Sequence, residues 1–172
     1  GFTATPQRLP APYVADATWR REMGFAMVDG LLRLGEIDPS QAGLGDFGKP
    51  AGFLARQVPR WLRHLDDCGR HASWPGPQAL PGVARVADWI ETHMPAAFTP
   101  GILHGDYHLG NVMFQRARPQ LAAIIDWELA TIGDPLIDLG WLVATWPDAD
   151  GRGAGTIRID PAQGLASTAE LV

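Results

Sequence analysis

The chain has 172 residues, 46% of them hydrophobic, with 14 Lys and Arg against 19 Asp and Glu for a net charge of −5. That length and apolar content suit one ordinary domain with a real core and argue against disorder, while the absence of any basic cluster argues against a nucleic-acid groove. No apolar run approaches the ~20 residues of a membrane span, and no basic-then-apolar leader opens the sequence. The single cysteine, Cys68, excludes an internal disulfide and a multi-cysteine zinc site, and it fits a reducing, cytoplasmic setting.

Taken in chain order, "GFTATPQRLPAPYV" is Pro-rich and reads as a linker or extended entry. A helix is predicted from Asp16 or Thr18, because Trp19, Met23, Met27, Leu31 and Leu34 recur every three or four residues on one face. The Gly- and Asp-rich "GEIDPSQAGLGDFGKPAG" connects it to a second helix opening near Pro50. Leu54, Val58, Trp61, Leu62 and Leu65 form the apolar face of that helix, and Pro59 is expected to kink or split it. After a break at "HASWPGPQALPG", a third helix is predicted from about Gly82 to Met94, with Val83, Val86, Ala87, Ile90 and Met94 turned inward.

The texture then changes. "GILH", "NVMF" and "LAAIID" are apolar runs of strand length, and "QRARPQ" between the last two closes a hairpin. In "GDP", Asp134 reads as the N-cap and Pro135 as the first residue of a helix continuing through Leu136, Ile137, Leu139, Gly140, Leu142 and Val143. At the end, "STAELV" places Ser167 as an N-cap with Glu170 three residues on, a capping box that announces a further helix. The expected class is α+β: a mainly helical body with a small β-hairpin set into it.

Three motifs invite chemistry. "GLGDFG", Gly43 to Gly48, matches the letters of a phosphate-binding loop, with Lys49 next. A turn sequence precedes it and Pro50 follows, so the strand–loop–helix context that presents backbone amides is missing. A connector whose glycines supply positive φ is the better reading. The same stretch holds Asp46-Phe47-Gly48, the metal-binding tripeptide of protein kinases, but there it follows the catalytic loop, and here it precedes His104. The third is "HGDYHLGN", where His104, Asp106 and His108 alternate as zinc ligands on a strand would. A zinc site needs a further ligand at a readable spacing, and His64, His71 and His93 are scattered over expected helices.

The loop has company. Asn111 lies five residues after Asp106, and fifteen residues later "AIIDWE" ends an apolar strand with Asp126. Phosphoryl transfer from a magnesium–nucleotide needs a carboxylate at the acceptor hydroxyl, and an amide and a second carboxylate for the metal. Magnesium takes oxygen ligands, with phosphates completing its shell, and Asn111 and Asp126 meet that need without the histidines.

These stretches, "LHGDYHLGNVMF", "IIDWELATIGDPLIDLGWLV" and, less specifically, "GLGDFGKPAGFLARQVPRW", resemble the second lobe of the aminoglycoside phosphotransferase family, a branch of the protein-kinase-like superfamily. Within it, they look most like the phosphotransferases associated with acyl-CoA dehydrogenases. The resemblance implies an enzyme that moves the γ-phosphate of ATP, with Mg2+, to a small-molecule hydroxyl. It makes Asp106 the catalytic base, Asn111 and Asp126 the magnesium and nucleotide ligands, and His104 the brace of the loop. It puts His108 near the transferred phosphate, where protein kinases carry a Lys, and Asp138 as the helix carboxylate that receives loop amides. For Asp138 a simpler reading, a first-turn carboxylate favouring the helix dipole, stands beside it. Trp127 and Glu128 replace the Phe-Gly of protein kinases.

The resemblance also sets the expected organisation. Residues 1–15 would be a hinge or linker, 16–98 a helical part, 99–146 the catalytic and metal-binding loops with their following helix, and 147–172 a loop and the start of a cut helix. Too few residues precede the first helix for a five-stranded nucleotide-covering lobe at ~5 residues per strand. The chain is therefore expected to be a second lobe without its first, with little activity alone and with apolar surface exposed. Two rivals remain at this point: a non-catalytic binding or regulatory lobe, and a metal-dependent hydrolase using His104, Asp106 and His108.

Overall fold

The computed structural model describes residues 1–4, 9–71, 73–76, 79–155 and 157–172. Pro10 and Pro12 suit a helix start, where a missing N–H costs nothing, and they open α1 (Ala11–Ala15). Asp16 then accepts the Thr18 N–H at 2.8 Å and caps α2 (Ala17–Gly35), the long central helix. The opening segment is therefore not the extended linker expected. Ala4, Leu9 and Tyr13 are buried, and Phe2 pairs its backbone with Phe114. The buried Arg20 ties the turn down by donating to the carbonyls of Tyr13, Val14 and Gln163.

Two helices follow the connector. After a 3-10 turn at Leu54–Arg56 comes α3 (Gln57–Cys68), and then α4 (Val83–Thr92). Pro59 neither kinks nor splits α3. It is the third residue of the helix, in the first turn, where backbone N–H groups have no helical partner to lose. In the connector only Gly43 has positive φ among the three glycines of "GLGDFG"; Gly48 is needed for a different reason, since a Cβ there would meet Thr131 and Ile132.

Four short strands form two separate antiparallel ribbons. β1 (Gly101–Leu103) pairs with β4 (Thr131–Gly133), with Leu103 opposite Thr131. β2 (Val112–Phe114) pairs with β3 (Leu121–Ile124), with an irregularity between Met113 and Phe114. The expected hairpin is the second ribbon. The β1–β4 ribbon was not expected, and it changes the setting of the loop: His104–Asn111 bridges the two ribbons rather than sitting within one hairpin. α5 (Leu136–Thr145) follows β4, one residue later than the sequence predicts, although the Asp134 carboxylate still accepts the Leu136 N–H at 3.1 Å. At the end, α6 (Thr168–Leu171) starts at Ser167, whose N–H and hydroxyl both donate to Glu170 at 2.8 Å.

The core gathers on one side of α2. Met23 and Met27 pack with Tyr107, Leu109, Val112, Phe114, Leu142, Trp146 and Leu171. Residues far apart in sequence therefore meet around the loop, and Tyr107, inside it, is anchored by donating to the Met27 carbonyl at 2.8 Å. The α3–α4 pair stands apart. Val58 is the only buried residue of α3 and α4 has none. The faces expected inward on these helices are open: Trp61, Leu62, Val86 and Ile90 are all exposed and, with the neighbouring Trp89, line a groove of about 680 Å³. No helix among the described residues is long and apolar enough to cross a membrane.

Candidate active site

The loop after β1 is held from below by Asp138 and from within by His104. Asp138 lies in the first turn of α5 and is buried. Its Oδ2 accepts the His104 N–H at 2.6 Å and its Oδ1 the Gly105 N–H at 2.9 Å. Burial pushes its carboxyl above the ordinary carboxylate range, and the two backbone N–H groups pull against that shift. The reading of Asp138 as the receiver of loop amides therefore describes its contacts, and the helix-dipole reading alone does not. Gly105 has φ of 86°, and a Cβ there would meet the Leu129 carbonyl oxygen, so only glycine lets the loop cross the turn after Asp126 this closely.

His104 is fully buried, and both ring nitrogens are occupied. Its Nδ1 accepts the Asp106 N–H at 3.2 Å, which leaves the ring hydrogen on Nε2, 2.9 Å from the Ile125 carbonyl. The imidazole thus joins the loop to the end of β3. Trp127 closes over it, the rings 4.8 Å apart, and donates its indole N–H to the Ile124 carbonyl.

Asp106 emerges from this frame with its carboxylate oriented by two donors. Asn111 Nδ2 reaches Oδ2 at 3.0 Å and Trp141 Nε1 reaches Oδ1 at 2.8 Å. Each oxygen keeps a lone pair for a further hydrogen. Asn111 Nδ2 also lies 3.0 Å from the Asp106 carbonyl, so the amide points its nitrogen inward. No donor among the described residues reaches its Oδ1. The Ile125 N–H donates to the Asn111 carbonyl at 2.9 Å, which sets Asp126, the next residue, beside Asn111. Asp126 has φ 69° and ψ 60°, the one positive φ outside glycine among the described residues, and its exposed carboxylate caps nothing. Asp enters this left-handed region more readily than most residues, and the Asp126 carboxylate has no hydrogen-bond partner among the described residues.

His108 accepts the Gly110 N–H on Nδ1 at 2.9 Å, which turns Nε2 toward Asp106 Oδ2 at 3.4 Å. The structure thus brings Asp106, His108 and Asn111 together over His104 and Asp138, and the Ile125–Asn111 backbone bond carries Asp126 to the same end of the β2–β3 ribbon. It does not build a zinc cluster: both His104 nitrogens and His108 Nδ1 are already bonded, and no group of three His, Cys, Asp or Glu suited to a metal is found among the described residues. Asn111 Oδ1 and the Asp126 carboxylate accept no hydrogen bond from the described residues, and oxygen donors of this kind suit a hard cation. Sequence reasoning missed Trp141. A signal existed: Trp141 is three residues after Asp138, so the two share one face of α5.

Residues 3–171 match the phosphotransferase enzyme family. The chain is 32% identical over 123 residues to acyl-CoA dehydrogenase family member 10 of Mus musculus, covering 71% of this chain and 11% of that protein. It is 34% identical over 137 residues to streptomycin 6-kinase of Streptomyces glaucescens, covering 73% of this chain and 41% of that one. The chain thus spans well under half the length of these curated relatives. Among solved structures, a Ralstonia eutropha protein provisionally assigned as an aminoglycoside phosphotransferase superposes with a TM-score of 0.71 at 30% identity, over 95% of this chain and 47% of that one. With a match running almost end to end, the chain belongs to the phosphotransferase enzyme family, and its fold matches about half of an aminoglycoside phosphotransferase-like structure.

Proposed function

We propose that this chain is the catalytic lobe of an ATP- and magnesium-dependent kinase of a small-molecule hydroxyl, with Asp106 as base. The observation that carries this reading is the Asp106 carboxylate, fixed between Asn111 and Trp141. Family membership and the likeness to a streptomycin kinase support phosphoryl transfer to a small molecule.

In this mechanism Asp106 holds the acceptor hydroxyl and takes its proton. The acceptor oxygen bonds to the γ-phosphorus while the bond to the β–γ bridging oxygen breaks, and ADP leaves. Asn111 Oδ1 and Asp126 would hold magnesium, which when bound offsets the charge of the phosphates. His108 would donate a hydrogen bond from Nε2 to the transferred group. His104 and Asp138 do no chemistry; they keep the loop in position, so that little reorganisation is needed as the reaction proceeds. The nucleotide-covering lobe lies outside these residues in this reading.

The test is magnesium-dependent turnover by the full-length enzyme. Asp126→Ala should lower kcat by on the order of 10²- to 10³-fold, and His108→Ala by less. Turnover that survives Asp126→Ala but fails in His108→Ala would favour the hydrolase reading and sink this one.

A further inference from the structure

The α3 helix carries a second pattern on the side away from its apolar face. Arg56, at the end of the 3-10 turn that leads into α3, and Arg60 and Arg63 within the helix are spaced i, i+4 and i+7. They line a pocket of about 330 Å³ together with Lys49, Gln57, Gly48 and Thr131. Lys49 is the only lysine of the sequence, and the chain as a whole is acidic at −5. Arg56 is used locally, donating to the carbonyls of Lys49 and Ala51 and so holding the connector against the helix. Lys49, Arg60 and Arg63 have no carboxylate within 4.0 Å among the described residues, where the only Arg ion pairs are Arg21–Glu170 and Arg70–Asp67.

Like charges at i and i+4 destabilise a helix. Here the positive groups converge on one concavity. Its location is specific. Thr131, in its wall, is the cross-strand partner of Leu103. Cross-strand partners lie ~5 Å apart and three residues of chain span at most ~10 Å, so this wall is within roughly 15 Å of Asp106. That is the reach of a small molecule lying with one end at the loop.

We infer that Lys49, Arg60 and Arg63 form an anion-binding subsite for the acceptor, so that the molecule phosphorylated carries a phosphate or comparable oxyanion some distance from its reacting hydroxyl. This inference rests on the phosphotransferase reading and narrows its substrate class. Guanidinium forks match oxyanions with paired, charge-assisted hydrogen bonds, and the exposed Arg60 and Arg63 are free to supply them. A polycationic acceptor, by contrast, meets only repulsion at this wall.

The experiment is a titration of the chain with inorganic pyrophosphate, followed through backbone amide chemical shifts, on the wild type, the Arg60→Gln/Arg63→Gln double variant and Lys49→Gln. The expected result is a saturable shift at Lys49, Arg60, Arg63 and Thr131, weakened at least tenfold in the double variant and several-fold in Lys49→Gln, with unchanged circular dichroism. No saturable shift at these residues, or one undiminished in both variants, overturns the inference. A parallel titration with magnesium and ADP separates the two readings. If ADP displaces pyrophosphate from the patch, the anion belongs to the nucleotide and the acceptor assignment falls. If ADP shifts Asn111 and Asp126 while pyrophosphate leaves the patch silent, the kinase reading stands and only the subsite is lost. Saturation of the patch by pyrophosphate without displacement supports the subsite, whatever becomes of the metal ligands.

Discussion

The loop body and the α3–α4 pair both carry apolar faces, yet one is packed shut and the other lies open. Around the loop, Met23, Met27, Tyr107, Leu109 and Leu142 are wholly or almost wholly buried, and His104, Asn111 and Asp138 have hydrogen-bond partners on several elements. On α3 and α4, Trp61, Trp89 and Val86 are more than half exposed. An amphipathic stripe states which side of a helix is apolar; whether another element covers that side depends on distant chain. The loop needs the packed environment, since an orienting hydrogen bond is useful only if its partner cannot move. The helix pair supplies surface instead, apolar on one side and basic on the other.

Substitutions can break this contrast. The largest effect should come from Met27→Ala, which opens a cavity beneath Tyr107 and should cost about 2–5 kcal/mol in urea unfolding. Trp89→Ala removes a larger side chain from the exposed face and should cost less than Met27→Ala, about 1–2 kcal/mol, since more than half of the ring stays in water. Equal losses at the two sites would erase the distinction between the regions. Asp138→Ala leaves the His104 and Gly105 N–H groups without an acceptor, and at about 1–3 kcal/mol for a buried donor it should destabilise by roughly 2–4 kcal/mol. Asp138→Asn keeps one acceptor oxygen and should lose less.

Trp141→Phe should sharpen the comparison from the functional side. It deletes one hydrogen bond to Asp106 on a partly exposed ring, so stability should change by at most about 1 kcal/mol. In the full-length enzyme kcat should drop several-fold with the KM for ATP little changed, because Trp141 acts only by positioning Asp106.

The smallest effect concerns acid. Glu170 is held down to about 2 by the Ser167 backbone N–H first and by Arg21 next. A depressed carboxyl stabilises the fold above its ordinary range, and that contribution fades as pH falls toward about 2. Asp138 works in the other direction: its raised carboxyl favours the folded state at low pH, and this is lost as pH rises through its folded pKa. Glu170→Gln should therefore flatten the acid limb of a melting-temperature profile, whereas removing Asp138 should not.

Much of the loop was legible because its spacing is short-range. Asp106 and Asn111 share one loop, Asp126 ends a strand recognisable by its apolar run, and Asp16, Ser167 and Glu170 announce helix starts by cap chemistry. What escaped were contacts made at long range. β4 is three residues long and pairs with β1 across 27 intervening residues, so "TIG" carries no periodicity to detect. Trp141 meets Asp106 only after α5 folds back under the loop. The burial of Phe114 against Phe2 and Tyr13 is likewise a tertiary event that a Pro-rich composition conceals. Pro59 was misread because its cost depends on where the helix begins.

The most direct measurement is a titration of the chain with Mn2+ and ADP, in which the paramagnetic ion broadens the amide signals of nearby residues. The account predicts broadening centred on Asn111, Asp126 and the Asp106 loop, abolished in Asp126→Ala. Broadening centred on His104 and His108, or unchanged by Asp126→Ala, would contradict the claim that this loop and its neighbouring aspartate form a phosphoryl-transfer site.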